Sequence, residues 1–408
     1  MQDYNINCPC KRKNCERHGN CAECRLYHQN HTRYRGSYCD RQKKKKYKGT
    51  KPMNTIPVKP IAEPLLAWYD KNARILPWRG NPQPYYVWIS EIMLQQTRVE
   101  AAKPYFDRFI QELPNVKALA EIPQERLMKL WEGLGYYNRA KNLQKAAQEI
   151  MENYHGEMPV NYDELLSLPG IGPYTAGAIA SIAFGQTVPA VDGNVLRVLT
   201  RTLALEEDIT KETTKKRLSL WLREVIPADR PGDFNQSLME LGATVCLPNG
   251  TPKCLLCPLQ GLCEAYENGT VSSFPVKSAK KPRKLEEKTL LLLTSGNRIA
   301  IHQRDGKGVL SGLWEFPNLD GTLCKEEVLS SLGLSASSFL TYCKLEPYKH
   351  IFTHIEWHIS GFHFDLPEEL HMHNWHWVLI DELSSIYALP SAFQPYLHNL
   401  LKKSGGNP

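Results

Sequence analysis

The chain has 408 residues, enough for two or three domains, and 42% of them are hydrophobic, enough for ordinary cores. Its formal net charge is +7, but residues 1–51 hold 14 Lys and Arg against 4 Asp and Glu, a balance of +10 that leaves −3 for the rest; the charge marks a basic arm and says nothing about what the main body binds. No apolar run is long enough to span a bilayer, and the opening MQDYNINCPCKRKNC has no signal-peptide-like stretch, so a soluble intracellular protein without membrane contact is expected.

Residues 1–40 are rich in Cys and His. Of 12 cysteines in the chain, six fall here: Cys8, Cys10, Cys15, Cys21, Cys24 and Cys39. In a reducing compartment such clusters are metal sites rather than disulfides, most simply one zinc on four ligands. His18, His28 and His31 are further candidate ligands, and the spacing does not choose among them. Residues 41–60 form a basic linker. Its Lys43–Lys46 run suits nonspecific phosphate contacts or a partner, and equally a solvated tether. From 61 to 245 apolar residues recur at helical spacing, including the long runs at 87–113 and 125–154. A second cysteine cluster occupies 246–263, and residues 276–287 read as another linker. From 288 to 408 the pattern becomes α+β. KTLLLLTSGNRIAIHQR reads as two strands around a Ser-Gly-Asn turn, HIFTHIEWHISGFHFDL alternates like a strand, and WHWVLIDEL follows. Cys324 and Cys343 are isolated thiols.

LPGIGP, residues 168–173, joins a short helix to the apolar helix TAGAIASIAF. Gly170 and Gly172 are expected to permit positive φ and close approach of a ligand. Pro173 suits a first helical turn, whose free amides can face a phosphate. This is a helix-hairpin-helix pattern, which holds DNA backbone without reading sequence; an ordinary tight turn fits the hairpin alone equally well. The helix after it is nearly all small or aliphatic and is expected at the centre of its domain. Asp192 lies 18 residues past Tyr174 and suits the N-cap of NVLRVLTRTL, a role that leaves room for a second one. Glu91 sits among Ile89, Ile92, Met93 and Leu94. Burial there should raise its pKa and leave a carboxylic acid able to donate a proton near neutrality. Gln95 and Gln96 beside it are suited to reaching into a base stack. Cys246, Cys254, Cys257 and Cys263 have the donor set of a structural zinc or of an iron–sulfur cluster.

LPWRG (76–80), VWISEIMLQQTRV (87–99), WEGLGYYNRAKNL (131–143), LPGIGPYTAGAIASIAFG (168–185), AVDGNVLRVLTR (190–201) and FNQSLMELGATVC (234–246) together resemble the helix-hairpin-helix DNA glycosylase superfamily, and within it the MutY adenine glycosylases. The resemblance implies that Glu91 protonates adenine at N7 and that Asp192 stabilises the sugar cation, with Asn194 supporting Asp192 or the attacking water. It places Trp78 and Arg79 at the base pocket and Gln96 at the wedge. Gln95, Tyr136, Gly170, Gly172 and Gln236 join them as DNA or base contacts. Tyr174 occupies the position of the Schiff-base lysine in endonuclease III-like lyases, which implies hydrolysis without efficient strand cleavage. The family carries a [4Fe–4S] cluster on C-x6-C-x2-C-x5-C. The first loop here is one residue longer, a difference that an Asn-Gly turn can absorb. The cluster is expected to order a loop against DNA, with Lys253 near phosphate.

GLWEFP (312–317) and FTHIEWHI (352–359) resemble the MutY C-terminal Nudix-like domain, so Phe352, Thr353 and His354 are expected to read 8-oxoguanine. CKEEVLSSLGL lacks the glutamate series of Nudix hydrolases, which implies recognition without hydrolysis. The implied plan is multidomain. It has a Cys-rich segment (1–40), a basic linker (41–60), an all-α helix-hairpin-helix glycosylase core with its cluster loop (61–275), a linker (276–287) and an α+β Nudix-like domain (288–408). The implied partner is double-stranded DNA bearing A:8-oxoguanine or A:G mismatches. The chain would act as a cytoplasmic or nucleoid-associated monomer, with a repair partner docking through the N-terminal segment. A non-catalytic lesion binder and an endonuclease III-like lyase are the alternatives.

Overall fold

The computed structural model describes residues 57–279, 282–304, 308–335 and 337–403, with isolated positions 17, 20, 23, 24 and 27 before them. They fall into two compact units. One contains the described residues up to Leu65 with Gly193–Val225 and Leu241–Lys277; the other contains Leu66–Asp192, Ile226–Glu240 and the described residues from Ser278 onward.

Residues 62–182 fold into α1 (Ala62–Asn72), α2 (Pro84–Leu94), α3 (Val99–Glu112), α4 (Val116–Glu121), α5 (Gln124–Leu130), α6 (Asn138–Asn153), α7 (Tyr162–Ser167) and α8 (Pro173–Ile182). The runs at 87–113 and 125–154 are each two helices, not one. Gln96 has φ 62°, and Gly133, Gly135 and Tyr136 have φ 94°, 68° and 49°; a right-handed helix cannot contain such residues. The apolar spacing runs on through both reversals and so hides them. Trp88, Ile89 and Met93 of α2, Phe106 and Phe109 of α3, Leu119, Leu127, Trp131 and Leu143 share one core with Ile179 of α8. Phe109 meets Trp131 edge-on at 6.0 Å. Each such side chain contributes roughly 1.5–3 kcal/mol on burial. The sequence PYTAGAIASI makes α8 the central helix, as expected, with Thr175 to Ser181 all buried. The small residues permit close approach, since a Cβ on Gly177 would lie 2.2 Å from the Pro189 carbonyl oxygen.

In the other unit, α9 (Gly193–Thr202) and α10 (Glu212–Arg223) precede the cysteine loop. The helix α11 (Pro231–Thr244) begins in the larger unit, which holds its residues up to Glu240, whereas the short α12 (Glu264–Glu267) lies with α9 and α10.

The C-terminal segment builds β1 (Lys284–Ser295), β2 (Arg298–Gln303), β3 (Trp314–Glu315), β4 (Asn318–Asp320), β5 (Thr341–Lys344), β6 (Tyr348–Ile351), β7 (Ile355–Asp365) and β8 (Trp375–Leu379), with helices α13 (Lys325–Leu332) and α14 (Gln394–Lys403). The main sheet order is β3-β2-β1-β7-β5; β4 pairs with β1, β6 with β7 and β8 with β2. The long β1–β7 pairing is parallel and the others are antiparallel. The LLLL run of β1 is buried on both faces. Leu290 and Leu292 pack with Trp357, Ile359, Phe393 and Leu397, whereas Leu291 and Leu293 pack with Val328, Leu332, Phe362 and Phe364. A strand with helices on both sides thus loses the polar alternation of a half-exposed one.

Within the larger unit, α5 and α6 hold this sheet domain by charged side chains on main-chain atoms. Lys129 Nζ donates to the carbonyl oxygens of Tyr387 (3.0 Å) and Leu383 (3.4 Å). Lys141 Nζ donates to Ser311 O (2.8 Å), and Glu132 Oε1 accepts from Leu389 N–H (2.9 Å). Among the described residues no helix is long and apolar enough to cross a membrane.

Candidate active site

Pro84 begins α2 in a first helical turn, and eight of its residues, Glu91 among them, are buried. Glu91 is 6% exposed. Burial pushes its carboxyl from 4.5 up to about 7. The Tyr174 hydrogen bond and the Arg79 charge oppose that rise, while the Asp192 charge adds to it. Tyr174 is half-buried with its hydroxyl turned inward, donating to Glu91 Oε2. Burial first, and then the Glu91 and Asp192 charges, keep that phenol protonated. Asp192 is half-buried and immediately precedes α9. The structure therefore brings together a near-neutral carboxylic acid, a phenol and a second carboxylate.

The last carbonyls of α2 are held by Arg139, a residue that sequence reasoning missed. Its Nη1 donates to the carbonyl oxygens of Ile92, Met93 and Gln95 at 2.7–2.9 Å. Its Nη2 donates to those of Leu134 (2.9 Å) and Gly135 (3.0 Å). One guanidinium thus ties the end of the Glu91 helix to the loop before α6, with its plane near the Trp131 and Tyr136 rings. Burial lowers its pKa to about 10, which still leaves it a cation at neutrality. Gln95 is half-buried and donates to Thr175 Oγ1 at 3.4 Å. Gln96 is exposed in the left-handed backbone region.

At the hairpin, Gly170 has φ 77°, and a Cβ there would meet Asn142 Cβ at 2.7 Å. Gly172 does not have the expected positive φ. It is extended (φ −94°, ψ 178°) because it is the N-cap residue of α8, a position any residue can adopt. What the missing side chain leaves there is open space, with no atom within 4 Å of a Cβ.

Arg79 Nη2 donates to Glu240 Oε2 at 2.8 Å, and Arg74 reaches the same carboxylate through Nε (2.5 Å) and Nη2 (3.1 Å). Glu240 is 1% exposed. Burial alone would raise its pKa, but the Arg74 hydrogen bond and the Arg79 charge outweigh it and leave the group ionised. Trp78 lies in the core, edge-on to Phe106 at 5.2 Å. Gln236 is half-buried on α11. In the other unit, Asn194 Oδ1 accepts from Arg197 Nη2 at 2.8 Å.

Tyr136 is 47% exposed, and its hydroxyl shares a hydrogen with Thr353 Oγ1 at 2.8 Å. The stretch read as one strand over 350–366 is a hairpin. Phe352 N–H donates to Ile355 O at 2.9 Å, so Phe352–His354 turn the chain between β6 and β7. The apolar alternation continues across the turn, which is why the sequence pattern conceals it. Thr353 and His354 are exposed, and Phe352 packs edge-on against His350 (4.6 Å) and Trp357 (4.9 Å). In CKEEVLSSLGL, Glu327 accepts from the Cys324 N–H at 2.7 Å and so closes the start of α13.

Cys246, Cys254, Cys257 and Cys263 are half-buried free thiols lining one cavity with Arg201, Leu259 and Tyr266. Arg201 Nη1 donates to Cys246 Sγ at 3.2 Å, which sets a guanidinium against that sulfur. Among the described residues no group of three or more His, Cys, Asp or Glu converges on a single metal ion. Of the N-terminal candidates only Cys24 is described, half-buried. Cys8, Cys10, Cys15, Cys21, Cys39, His18, His28, His31 and Lys43–Lys46 lie outside the described residues.

Residues 89–224 match the family described as HhH-GPD superfamily base excision DNA repair protein, and residues 289–399 match the NUDIX domain. The adenine DNA glycosylase of Buchnera aphidicola subsp. Acyrthosiphon pisum (strain APS) is 36% identical over 304 residues, which are 74% of this chain and 86% of that protein. The chain belongs to the adenine DNA glycosylase family. Its fold is the helix-hairpin-helix core of that family with a Nudix-like C-terminal domain. The adenine DNA glycosylase of Mus musculus is 38% identical over 307 residues; the match covers 62% of this chain and only 59% of the mouse protein's length. Among solved structures, a thermostable thymine-DNA glycosylase aligns at a TM-score of 0.47 and 30% identity, over 51% of this chain and 95% of that one.

Proposed function

We propose that this chain is a monofunctional adenine DNA glycosylase that hydrolyses the N-glycosidic bond of adenine mispaired with 8-oxoguanine or guanine. The observation that carries the reading is the Glu91–Tyr174–Asp192 group: a buried acid near pKa 7, hydrogen-bonded to a phenol, with a second carboxylate close enough to raise it. Adenine is a poor leaving group until protonated, and C1′ becomes a cation as the base departs. A neutral acid paired with an ionised carboxylate is the two-carboxylate solution to glycoside cleavage. Glu91 donates its proton to N7, the C1′–N9 bond breaks, and Asp192 stabilises the sugar cation. Water then adds to C1′, and the proton it loses restores Glu91. Asn194 supports Asp192 or that water.

The target base must leave the stack, at a cost of roughly a few kcal/mol. Gln96, exposed on the loop after the Glu91 helix, fills the gap with Gln95 and Tyr136 beside it. Arg79, held by Glu240, supplies donors at the base pocket, which Trp78 backs from the core. Gly170, Gly172 and the start of α8 hold phosphate, with Gln236 a further contact. Tyr174 has no amine, so no imine forms and the strand is not efficiently cleaved. Thr353 and His354 read 8-oxoguanine in the opposite strand, with Phe352 packed behind them.

The four cysteines around one cavity, with Arg201 against Cys246, suit the donor set of a [4Fe–4S] cluster. When bound, that group would order the 246–263 loop, with Lys253 near phosphate. The Cys-rich segment at 1–40 would hold zinc and dock a repair partner, tethered by 41–60 to a glycosylase domain at 61–275. A linker at 276–287 would then lead to the recognition domain at 288–408. The test is base release and alkali-independent nicking on duplexes carrying A opposite 8-oxoguanine, A opposite G, and oxidised pyrimidines. Adenine release without nicking is expected. Borohydride trapping as strong as that of a lyase overturns the monofunctional reading, and binding without release supports a lesion binder instead.

A further inference from the structure

Asp192 follows a stretch of chain, residues 186–191, that belongs to no helix or strand. An irregular segment that is partly buried must find partners for its main-chain groups elsewhere. Gln186 N–H reaches Ala180 O (2.9 Å) and Val188 N–H reaches Gln186 O (2.8 Å), and one side chain supplies two further partners. Asn235 of α11 is fully buried. Its Oδ1 accepts from Ala190 N–H at 3.0 Å, and its Nδ2 donates to Val188 O at 2.9 Å. The second hydrogen on Nδ2 goes to Ser181 Oγ of α8, also at 2.9 Å. Ser181 in turn donates to Gly177 O at 2.7 Å. Between the two anchored residues stands Pro189, which has no N–H to satisfy.

The carboxamide treats this segment as a neighbouring parallel strand would, taking an N–H and giving to the carbonyl two residues earlier. Its orientation follows from the partners, because a flipped amide would set N–H against N–H. The same stretch is pressed on α8 where Gly177 leaves room for the Pro189 carbonyl. Ala190 and Asp192 are two residues apart, a reach of about 7 Å, and Tyr174 lies in the first turn of that same α8.

We propose that Asn235 is a positioning residue: it fixes residues 188–190 on α8 and thereby sets the Asp192 carboxylate relative to Tyr174 and Glu91. This rests on the proposed reading of Asp192, and two variants separate the ideas. Asn235→Ala removes all three bonds. Ser181→Ala removes one and leaves both bonds to 188–190. The assay is single-turnover adenine release by the full-length protein from a duplex with A opposite 8-oxoguanine, scored as rate constant, active fraction and duplex Kd. Asn235→Ala should lower the rate constant about 10- to 100-fold, the scale of an ångström-level misplacement, at unchanged active fraction and Kd. Ser181→Ala should stay within about threefold of wild type on that scale. Asn235→Asp, which keeps the acceptor for Ala190 but not the donor to Val188, should be intermediate, and it serves if the alanine variant does not fold. A wild-type rate for Asn235→Ala or for Asn235→Asp overturns the proposal. So does an equal fall with Ser181→Ala, or a loss confined to active fraction, because either means general packing. Failure of wild type to release adenine, or a wild-type rate for Asp192→Asn, would instead sink the underlying reading.

Discussion

Glu91 is costly for the fold and useful for the proposed chemistry by the same physics. Its folded pKa, about 7, lies above its ordinary 4.5, so the folded state favours the protonated form. That stability is complete at pH below the ordinary value and is lost as pH rises through about 7. Glu91→Gln should therefore melt higher than wild type at about pH 8, with the gap closing toward about pH 5, while losing adenine release because an amide cannot donate the proton. Asp192→Asn should lose release and keep duplex binding; near-wild-type turnover in either variant would remove that residue from the chemistry. The rate should fall as pH rises through about 7, as the acid is consumed. Tyr174 donates to the carboxylate and so opposes its rise. Tyr174→Phe should move this alkaline limb to higher pH, and a limb that stays or moves down would mean the bond does not tune the acid. Tyr174→Lys should gain an adduct that borohydride traps, since it sets an amine at the lyase position. The burial of Glu91 was legible because a lone acid interrupts an apolar helical pattern. The resemblance placed Arg79 at the base pocket, but its tie to Glu240, shared with Arg74, was not legible, since that carboxylate lies 161 and 166 residues away from Arg79 and Arg74, far beyond the local spacings a sequence pattern reports.

At the scale of elements, the long helices of the core and the long strands of the sheet were legible, and the short elements and the reversals between them were not. The breaks at Gln95–Arg98, Trp131–Tyr137 and Phe352–His354 all fall inside continuous apolar patterns, and all carry candidate DNA contacts. Only the glycines at 133 and 135 advertise one of them. Arg139 spans two of these breaks by gathering five carbonyls. Arg139→Ala would take this donor from all five, although Ile92 O keeps the Gln95 N–H and Gly135 O keeps Trp131 Nε1, at about 1–3 kcal/mol for each left unpaired that water does not reach. A fall in the urea midpoint together with slower release is the expected result. Arg139→Lys should not restore either, because one ammonium cannot cover two loops in a fixed fork. At the β6–β7 turn, Thr353→Ala with His354→Ala should weaken the preference for A opposite 8-oxoguanine over A opposite G, at about 1 kcal/mol per lost polar contact. Single-turnover rates on the two duplexes decide it; an equal fall on both would mean that the turn adds affinity without reading the lesion.

For the molecule as a whole, the division into compact units cuts across the order of the chain. Residues 66–192 cluster with the sheet domain, while 193–225 and 241–277 form the other unit with the cysteine loop. A linear reading divides the chain at composition shifts, and nothing in composition marks Asp192–Gly193 as a boundary. Purified protein should be brown and hold about four irons per chain if the 246–263 cysteines carry a cubane cluster. Deletion of residues 1–50 should remove zinc, keep iron and leave adenine release largely intact; loss of iron with that deletion would reassign the two metal sites. The larger unit also has an asymmetry in how its parts adhere. Lys129, Glu132 and Lys141 grip the sheet domain through the main-chain atoms of residues 311, 383, 387 and 389. Main-chain atoms are the same whatever side chain they bear. As far as these bonds go, the sheet-domain side is free to drift in sequence while the helical side is not. Thr353, Gln394, Leu313 and Ala388, which meet Tyr136, Glu132 and the helical core through their side chains, are the exceptions. A transplanted sheet domain of the same backbone path should therefore seat on these three charges if it keeps those four.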